Sequence, residues 1–331
     1  METLIKKPDD EALALAKEII DKGGLVAFKT ETVYGLGANI YDEQAIQNIF
    51  KVKGRPADNP LIVHLADKTE IKKVVKSIPP LAQKLIDTFM PGPLTLILER
   101  AESVPAVVSA GLPTLAVRVP ADITAQKFLK AVGVPIAAPS ANTSTRPSPT
   151  TAMDVYEDLK SKIPLILDGG QCEVGLESTV IDARTNDVTI LRYGGITKEQ
   201  IEVRLNIKIN EDTSPKEKPI SPGTKYRHYA PNATMYFVSY GKPEEVERLY
   251  NQNKHLRTVV LAIDKSLPAP KEYQNFYSLG KDEADAAHNL FRALRELEKE
   301  YDVIIAYACR EEGLGASVNS RMRKAAGKNI I

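Results

Sequence analysis

The feature that most constrains this chain is a break in its patterning. From about Asn210 the hydrophobic periodicity stops, and Glu211-Asp212-Thr213-Ser214-Pro215-Lys216-Glu217-Lys218-Pro219 is polar, charged and interrupted by proline, as linkers are. A single core cannot run through such a stretch. Two domains are therefore expected, in keeping with 331 residues at about 150 residues per domain. The expected division is a first domain at 1–206, a linker at 207–231 and a second domain at 232–331.

The two sides of the break carry different patterns. Before it, Asp9 and Asp10 can cap a helix whose apolar positions Leu13, Ala16, Ile19 and Ile20 recur at helical spacing, with Gly23-Gly24 as its stop. Asp42 opens a second amphipathic helix through Ala45, Ile46, Ile49 and Phe50. Short strands are expected over 25–28, 61–65, 94–98, 115–119, 134–138, 165–167, 179–181 and 189–191. Strands outnumber helices here, so strict doubly wound alternation is not met. An α/β chain with α+β character and a curved, twisted mixed sheet in its first domain is expected instead. After the break, strands over 235–238, 258–263 and 303–306 alternate with helices over 244–253, 283–300 and 317–326. That order predicts a small parallel α/β domain, Rossmann-like in its alternation.

Charge and cysteine content exclude several function classes. Lys and Arg total 44 against 43 Asp and Glu, a net charge of +1, whereas chains that coat nucleic acid usually carry a marked basic excess. Cys172 and Cys309 stand far apart outside any C-x-x-C pair, which argues against a disulfide framework and a thiolate zinc site. No long apolar run follows the N-terminal lysines or occurs elsewhere, so a soluble cytoplasmic protein with no membrane partner is expected.

Several segments carry chemistry. Lys29-Thr30-Glu31-Thr32-Val33-Tyr34-Gly35-Leu36-Gly37 leaves the first strand rich in hydroxyls. Extended geometry would put Thr30, Thr32 and Tyr34 on one side, fit for a small polar ligand; a turn would spend the same hydroxyls on local backbone. It fits neither G-x-G-x-x-G nor a Walker A loop. In Lys51-Val52-Lys53-Gly54-Arg55-Pro56, Gly54 frees the backbone and Pro56 pushes Arg55 out of helical geometry. Lys53 and Arg55 can then converge on a polyphosphate, or simply complement a helix C-terminus. Asn59 in the following turn and His64 at a strand end share that neighbourhood. Ala138-Pro139-Ser140-Ala141-Asn142 ends a strand in small residues that allow close backbone approach, and Thr143 to Ser148 adds further hydroxyls. Arg118 lies inside the apolar strand Leu115-Ala116-Val117-Arg118-Val119 and requires an anion, from a protein carboxylate or from a ligand. Ser178 and Arg192 are further candidates. With no nucleophile elbow, no H-E-x-x-H and no spaced acidic pair, the inventory is one of cations, hydroxyls and amides, suited to phosphoryl or nucleotidyl transfer by positioning and electrostatics.

Taken in order, Thr30-Glu31-Thr32-Val33-Tyr34-Gly35-Leu36-Gly37, Lys53-Gly54-Arg55-Pro56-x-x-Asn59-Pro60-Leu61, Pro91-Gly92-Pro93-Leu94-Thr95, Ala116-Val117-Arg118 and Ala138-Pro139-Ser140-Ala141-Asn142 resemble the YrdC-type threonylcarbamoyl-AMP synthases. Ser221-Pro222-Gly223-Thr224-Lys225-Tyr226-Arg227-His228-Tyr229-Ala230-Pro231 and the following α/β pattern resemble the long form of that family. The resemblance implies a YrdC-like catalytic domain that joins L-threonine, bicarbonate or CO2 and ATP into threonylcarbamoyl-AMP with release of pyrophosphate. It further implies Mg2+ held mainly by the phosphates, a downstream transferase that modifies tRNA, and weak tRNA contact at most.

Carried over by position, the resemblance implies that Lys53 and Arg55 are catalytic and that Thr32, His64, Arg118, the Ala138 backbone and Ser178 hold threonine. Arg55, Asn59, Thr114, Ser140, Asn142, Ser148 and Arg192 then surround ATP, with Tyr226 closing over it as part of a lid. No metal ligand is expected from the protein. Three positions depart from the family: Lys29 where proline is frequent, Tyr193 before Gly194, and Asn319-Ser320-Arg321 in place of an Asn-Arg pair. Two alternatives remain at this level: an RNA-binding protein that tracks phosphates with Lys51, Lys53 and Arg55, and another carbamoyl-adenylate enzyme such as the hydrogenase-maturation carbamoyltransferases, whose zinc-binding cysteine pairs this chain lacks.

Overall fold

The computed structural model describes residues 2–212, 228–264, 266, 267 and 273–331. The chain divides into two compact units. One comprises 1–144, 149–173 and 177–225; the other comprises 145–148, 174–176 and 226–331. The expected linker at 207–231, including most of its Ser221 to Pro231 motif, falls largely on 213–227, which lie outside the described residues.

In the first unit the elements run β1 (Leu4–Lys6), α1 (Asp10–Asp21), β2 (Val26–Phe28), β3 (Gly35–Asn39), α2 (Glu43–Lys53), β4 (Ile62–His64), α3 (Ile71–Val74), α4 (Pro80–Phe89), β5 (Leu94–Glu99), β6 (Thr114–Arg118), α5 (Ile123–Val132), β7 (Ile136–Ala137), α6 (Ala152–Leu159), β8 (Leu165–Leu167), β9 (Thr179–Asp182), β10 (Thr189–Arg192), α7 (Lys198–Leu205) and β11 (Asn210–Glu211). The strands form one mixed sheet in the order β1-β8-β2-β3-β7-β4-β6-β5-β9-β10-β11. Strict alternation is absent, as the excess of strands over helices requires.

Local chemistry sets the helix ends. Asp9 accepts from the Ala12 N–H and Asp42 from the Ala45 N–H, each satisfying a donor the first turn leaves open. Gly54, at φ 60°, closes α2 in the left-handed conformation. β3 is the strand that the glycine-rich sequence conceals. Gly35 and Gly37 look like turn residues, yet a Cβ on Gly37 would lie 2.9 Å from Ile136 Cγ2 and 3.1 Å from Phe28 Cε1. The glycines are there to let β2, β3 and β7 carry large side chains on one face.

Strand alternation separates the sheet into two faces. One bears Leu61, Val63, Leu65, Leu96, Leu98, Leu115, Val117 and Ile181, all within the main core. Across one end of the other face, α1 and α5 bury Val26, Phe28, Ile136 and Ala138 together with Leu13, Ile20, Phe128 and Leu129. Each such large side chain contributes about 1.5–3 kcal/mol on burial. Farther along that face the residues become polar.

The second unit continues with β12 (Thr234–Val238), α8 (Pro243–Asn253), β13 (Thr258–Ala262), β14 (Phe276–Ser278), α9 (Glu283–Glu300), β15 (Val303–Tyr307) and α10 (Gly313–Ala326). Its strands are all parallel in the order β12-β15-β13-β14. β14 escapes the sequence pattern because it has only three residues, none of them fully buried. The Asn319 side chain on α10 accepts from the Cys309 N–H and donates to its carbonyl, both at 2.9 Å, tying α10 to the loop that follows β15.

Gly194 packs directly against the backbone that carries Ser178: an added Cβ would fall 2.3 Å from Ser178 C and Thr179 N and 2.4 Å from Glu177 O. Backbone cannot move aside as a flexible side chain does. Gly194→Ala is therefore expected to cost about 1–3 kcal/mol in urea denaturation, and a variant as stable as the parent would show that the loop shifts freely.

Candidate functional site

The register of four neighbouring strands assembles the polar face. Ile62 lies opposite Ala116 and His64 opposite Arg118; Ile97 also faces Ala116, and Thr95 faces Val180. Thr114, Ala116 and Arg118 share one side of β6 by alternation. The Ala138 N–H donates to the Ile62 carbonyl at 2.9 Å, bringing that backbone alongside. Ile62, Ile97, Ala116, Val180 and Leu191 form a small apolar cluster of their own. The face thus has an apolar floor between polar ends, Thr114 at one and Arg118 with His64 at the other.

Arg118 is 3% exposed and held from several sides. Its Nε donates to the Gly92 carbonyl at 3.2 Å and its Nη1 to Thr32 Oγ1 at 2.8 Å. Its Nη2 lies 2.8 Å from Glu31 Oε1, close enough for ion pairing, yet directs no N–H along a hydrogen-bonding line. The anion that the sequence demanded is therefore a protein carboxylate, with one guanidinium nitrogen still lacking a directed acceptor.

His64 is buried beside this cation. Burial, the Arg118 charge next, pushes its pKa down to about 3, so the ring is neutral. Its Nδ1 meets the Ile62 carbonyl at 3.2 Å, and a carbonyl can only accept. The proton therefore resides on Nδ1, leaving Nε2 as an acceptor. Phe28 stands edge-on to the ring at 6.0 Å.

The Thr30 to Tyr34 segment does not continue as a strand. Thr30 Oγ1 lies 2.8 Å from Thr32 Oγ1 and donates to the Val33 carbonyl at 2.6 Å. This is the turn in which the hydroxyls serve local backbone; it breaks the two-residue period, so of Thr30, Thr32 and Tyr34 only Thr30 and Thr32 stay together. Tyr34 is turned away, its hydroxyl donating to the Gly170 carbonyl at 2.7 Å, and burial raises its pKa further.

Lys53 and Arg55 are sent to different partners because left-handed Gly54 reverses the chain between them. Lys53 is 1% exposed and its Nζ donates to the Ser140 and Asn142 carbonyls, both at 2.5 Å. Arg55 donates through Nη2 to the carbonyls of Asn59 at 3.3 Å and Pro60 at 3.1 Å. A buried Lys53 is a poor tracker of an RNA backbone and a good brace for the 140–142 loop. Within that loop Ser140 Oγ donates to Asn142 Oδ1. At the far side of the sheet, Arg192 donates to the Ser178 carbonyl at 2.9 Å and to Ser178 Oγ at 3.2 Å, and Thr95 Oγ1 meets Ser178 Oγ at 2.7 Å.

Thr32, His64, Arg118, Ala138, Ser178, Thr114 and Arg192 thus belong to one sheet face and its rims, with Lys53, Ser140 and Asn142 linked at one edge. Asn59 is buried beside Arg55. Ser148 is buried in the 145–148 segment of the second unit. Tyr226 lies outside the described residues.

Sequence reasoning gave no role to Glu31, Gly92 or Thr95. The need of Arg118 for an anion was a signal for a carboxylate beside it, but nothing in the sequence marked Glu31 as that carboxylate. Lys29, unusual at its position, is buried and bonded to Asp122 at 2.7 Å and Glu173 at 2.5 Å. Burial opposes its charge, but those two hydrogen bonds outweigh it and raise its pKa.

Because neutral His64 is favoured only in the fold, unfolded chains bind one more proton between about pH 6.5 and 3, and stability falls as pH drops through that window. By pH 5 this group alone accounts for about 2 kcal/mol. Urea titrations at pH 7 and 5 are expected to show a smaller pH-dependent loss in His64→Gln than in the parent; identical losses would mean that the imidazole is charged when folded.

The family model Sua5_yciO_yrdC, described as telomere recombination, matches residues 18–194, and Sua5_C, described as threonylcarbamoyl-AMP synthase, C-terminal domain, matches 196–327. The chain is 44% identical over 326 residues to a threonylcarbamoyl-AMP synthase of Pyrococcus abyssi, covering 96% of this chain and 95% of that one. It is 40% identical over 330 residues to its Bacillus subtilis counterpart, covering 98% and 95%. Among solved structures it is similar to that of P. abyssi Sua5 complexed with L-threonine, with a TM-score of 0.92, 41% identity and coverage of 100% of this chain and 98% of that chain.

Proposed function

The chain belongs to the threonylcarbamoyl-AMP synthase family, and we propose that the polar face of its first unit is where threonine and ATP meet. The reaction condenses L-threonine, bicarbonate and ATP to threonylcarbamoyl-AMP and pyrophosphate, the first step of tRNA threonylcarbamoyladenosine modification. The observation that carries our reading is Arg118, a buried guanidinium with an undirected Nη2 at the end of an apolar floor.

In this reading Arg118 receives the threonine carboxylate, and the bound L-threonine of the P. abyssi structure supports the ligand class. Thr32, neutral His64, the Ala138 backbone and Ser178 complete the threonine end; the His64 Nε2 acceptor suits a hydroxyl donor. Arg192 acts partly through Ser178, whose carbonyl and hydroxyl it orients. Thr114, Arg55, Asn59, Ser140 and Asn142 are assigned to the nucleotide. Lys53 is a positioning residue that holds the Ser140 and Asn142 carbonyls and brings a positive charge to the edge where pyrophosphate leaves.

ATP enters as its Mg2+ complex. We assign that ion mainly to the phosphate oxygens of the nucleotide. The amine captures bicarbonate as a carbamate, and a carbamate oxygen attacks the α-phosphorus. We assign the product to a separate tRNA-modifying transferase. Among the described residues no helix is long and apolar enough to cross a membrane, and the buried free thiols Cys172 and Cys309 suit a reducing compartment such as the cytoplasm.

The test is mass spectrometry of nucleotide products with threonine, bicarbonate and ATP omitted in turn: threonylcarbamoyl-AMP is expected only with all three, and formation without threonine would overturn the reading. Arg118→Ala is expected to raise the threonine KM by about tenfold to a hundredfold, the worth of a charged hydrogen bond. Lys53→Ala is expected instead to lower kcat more than it weakens threonine binding; equal effects on both would remove its link to the departing pyrophosphate.

A further inference from the structure

Glu31 has a half-used carboxylate. Its Oε1 accepts from the Ala121 N–H at 3.1 Å and lies beside Arg118 Nη2, which fixes how the group is turned. Its Oε2 is buried and has no hydrogen-bond partner, on a residue only 7% exposed. A buried acceptor left in that state is costly unless something occupies it. Next to it, Arg118 Nη2 is likewise buried and without a directed bond. The two are near neighbours, yet their geometry keeps them from satisfying each other.

A buried positive donor adjacent to a buried negative acceptor is the complement of a zwitterion. An α-amino acid presents its carboxylate and ammonium one carbon apart, so a carboxylate on Arg118 brings the ammonium within reach of the neighbouring carboxylate. Resting on the assignment of threonine to Arg118, we propose that Glu31 is a further catalytic residue: its Oε2 binds the α-ammonium of threonine and takes a proton from it.

The step balances. R–NH3+ and the Glu31 carboxylate give R–NH2 and the neutral acid; the freed lone pair attacks the carbon of bicarbonate, and R–NH2 plus HCO3− yields R–NH–COO− and water. Glu31 later returns its proton to solvent. An ammonium has no lone pair with which to make that bond, so an acceptor at this point removes the obstacle to carbamate formation. Hydroxyl-bearing carboxylates that lack the amine gain nothing from Glu31, which makes the same contact a selector for amino acids.

The experiment uses the full chain and its Glu31→Gln variant, with L-threonine as substrate and 3-hydroxybutyrate, which lacks the amine, as competitive inhibitor. Glu31→Gln is expected to weaken threonine by about tenfold or more while leaving inhibition by 3-hydroxybutyrate within about twofold of the parent's. The threonine deficit is also expected to shrink as pH rises through the range in which an α-amine loses its proton. Equal loss for both ligands, or a deficit that does not change with pH, overturns the proposal and leaves Glu31 a structural partner of Arg118. Arg118→Ala separates this from the underlying assignment: if it leaves both ligands unaffected, threonine does not bind at Arg118 at all. Should the glutamine variant fail to fold, Glu31→Asp, which keeps the charge but withdraws it by one methylene, is read by the same ratio and the same pH dependence.

Discussion

The buried guanidinium of Arg118 is the interaction on which the polar face of the first unit depends. A full positive charge inside an apolar strand is untenable unless neighbours compensate it. Here they come from widely separated parts of the chain: Glu31 and Thr32 from the turn after β2, and the Gly92 carbonyl from the loop before β5. The same charge helps keep His64 neutral. One residue thus organises the turn and the loop and helps keep its neighbour uncharged.

A second buried cation supports the first. Lys29 ties the end of β2 to Asp122, and Asp122 also caps α5 by accepting from the Thr124 and Ala125 N–H groups. Ala121, one residue earlier, donates to Glu31. The start of α5 is therefore joined through adjacent residues to both Lys29 and Glu31, bracing the Thr30 to Val33 turn from outside. Lys53 does comparable work at another edge, where its ammonium holds two loop carbonyls. Each of these cations is engaged by carboxylates, hydroxyls or carbonyls of the fold.

Several features were legible in the residues themselves. Asp9 and Asp42 before amphipathic runs, Gly54 after one, and the apolar runs of β5, β6 and β15 are local signals that propensity and periodicity carry. The isolation of Arg118 among apolar neighbours correctly demanded an anion. Less legible was β3, because glycine reads as a turn until the bulk of Phe28 and Ile136 opposite it is known. The turn at Thr30 to Val33 was the other of the two readings the residues allowed: a hydroxyl bonding to a carbonyl three residues on cancels strand alternation.

By itself the sequence determined that this chain forms a strand-rich mixed domain and a parallel α/β domain, and its five ordered motifs carried the family resemblance. Those properties reside in local periodicity and residue chemistry. Only the tertiary structure decided which carboxylate meets Arg118, which carbonyls Lys53 and Arg55 each engage, and that the 145–148 and 174–176 segments group with the second unit. Register between strands distant in sequence governs such pairings, and no local pattern encodes which buried charge will face which.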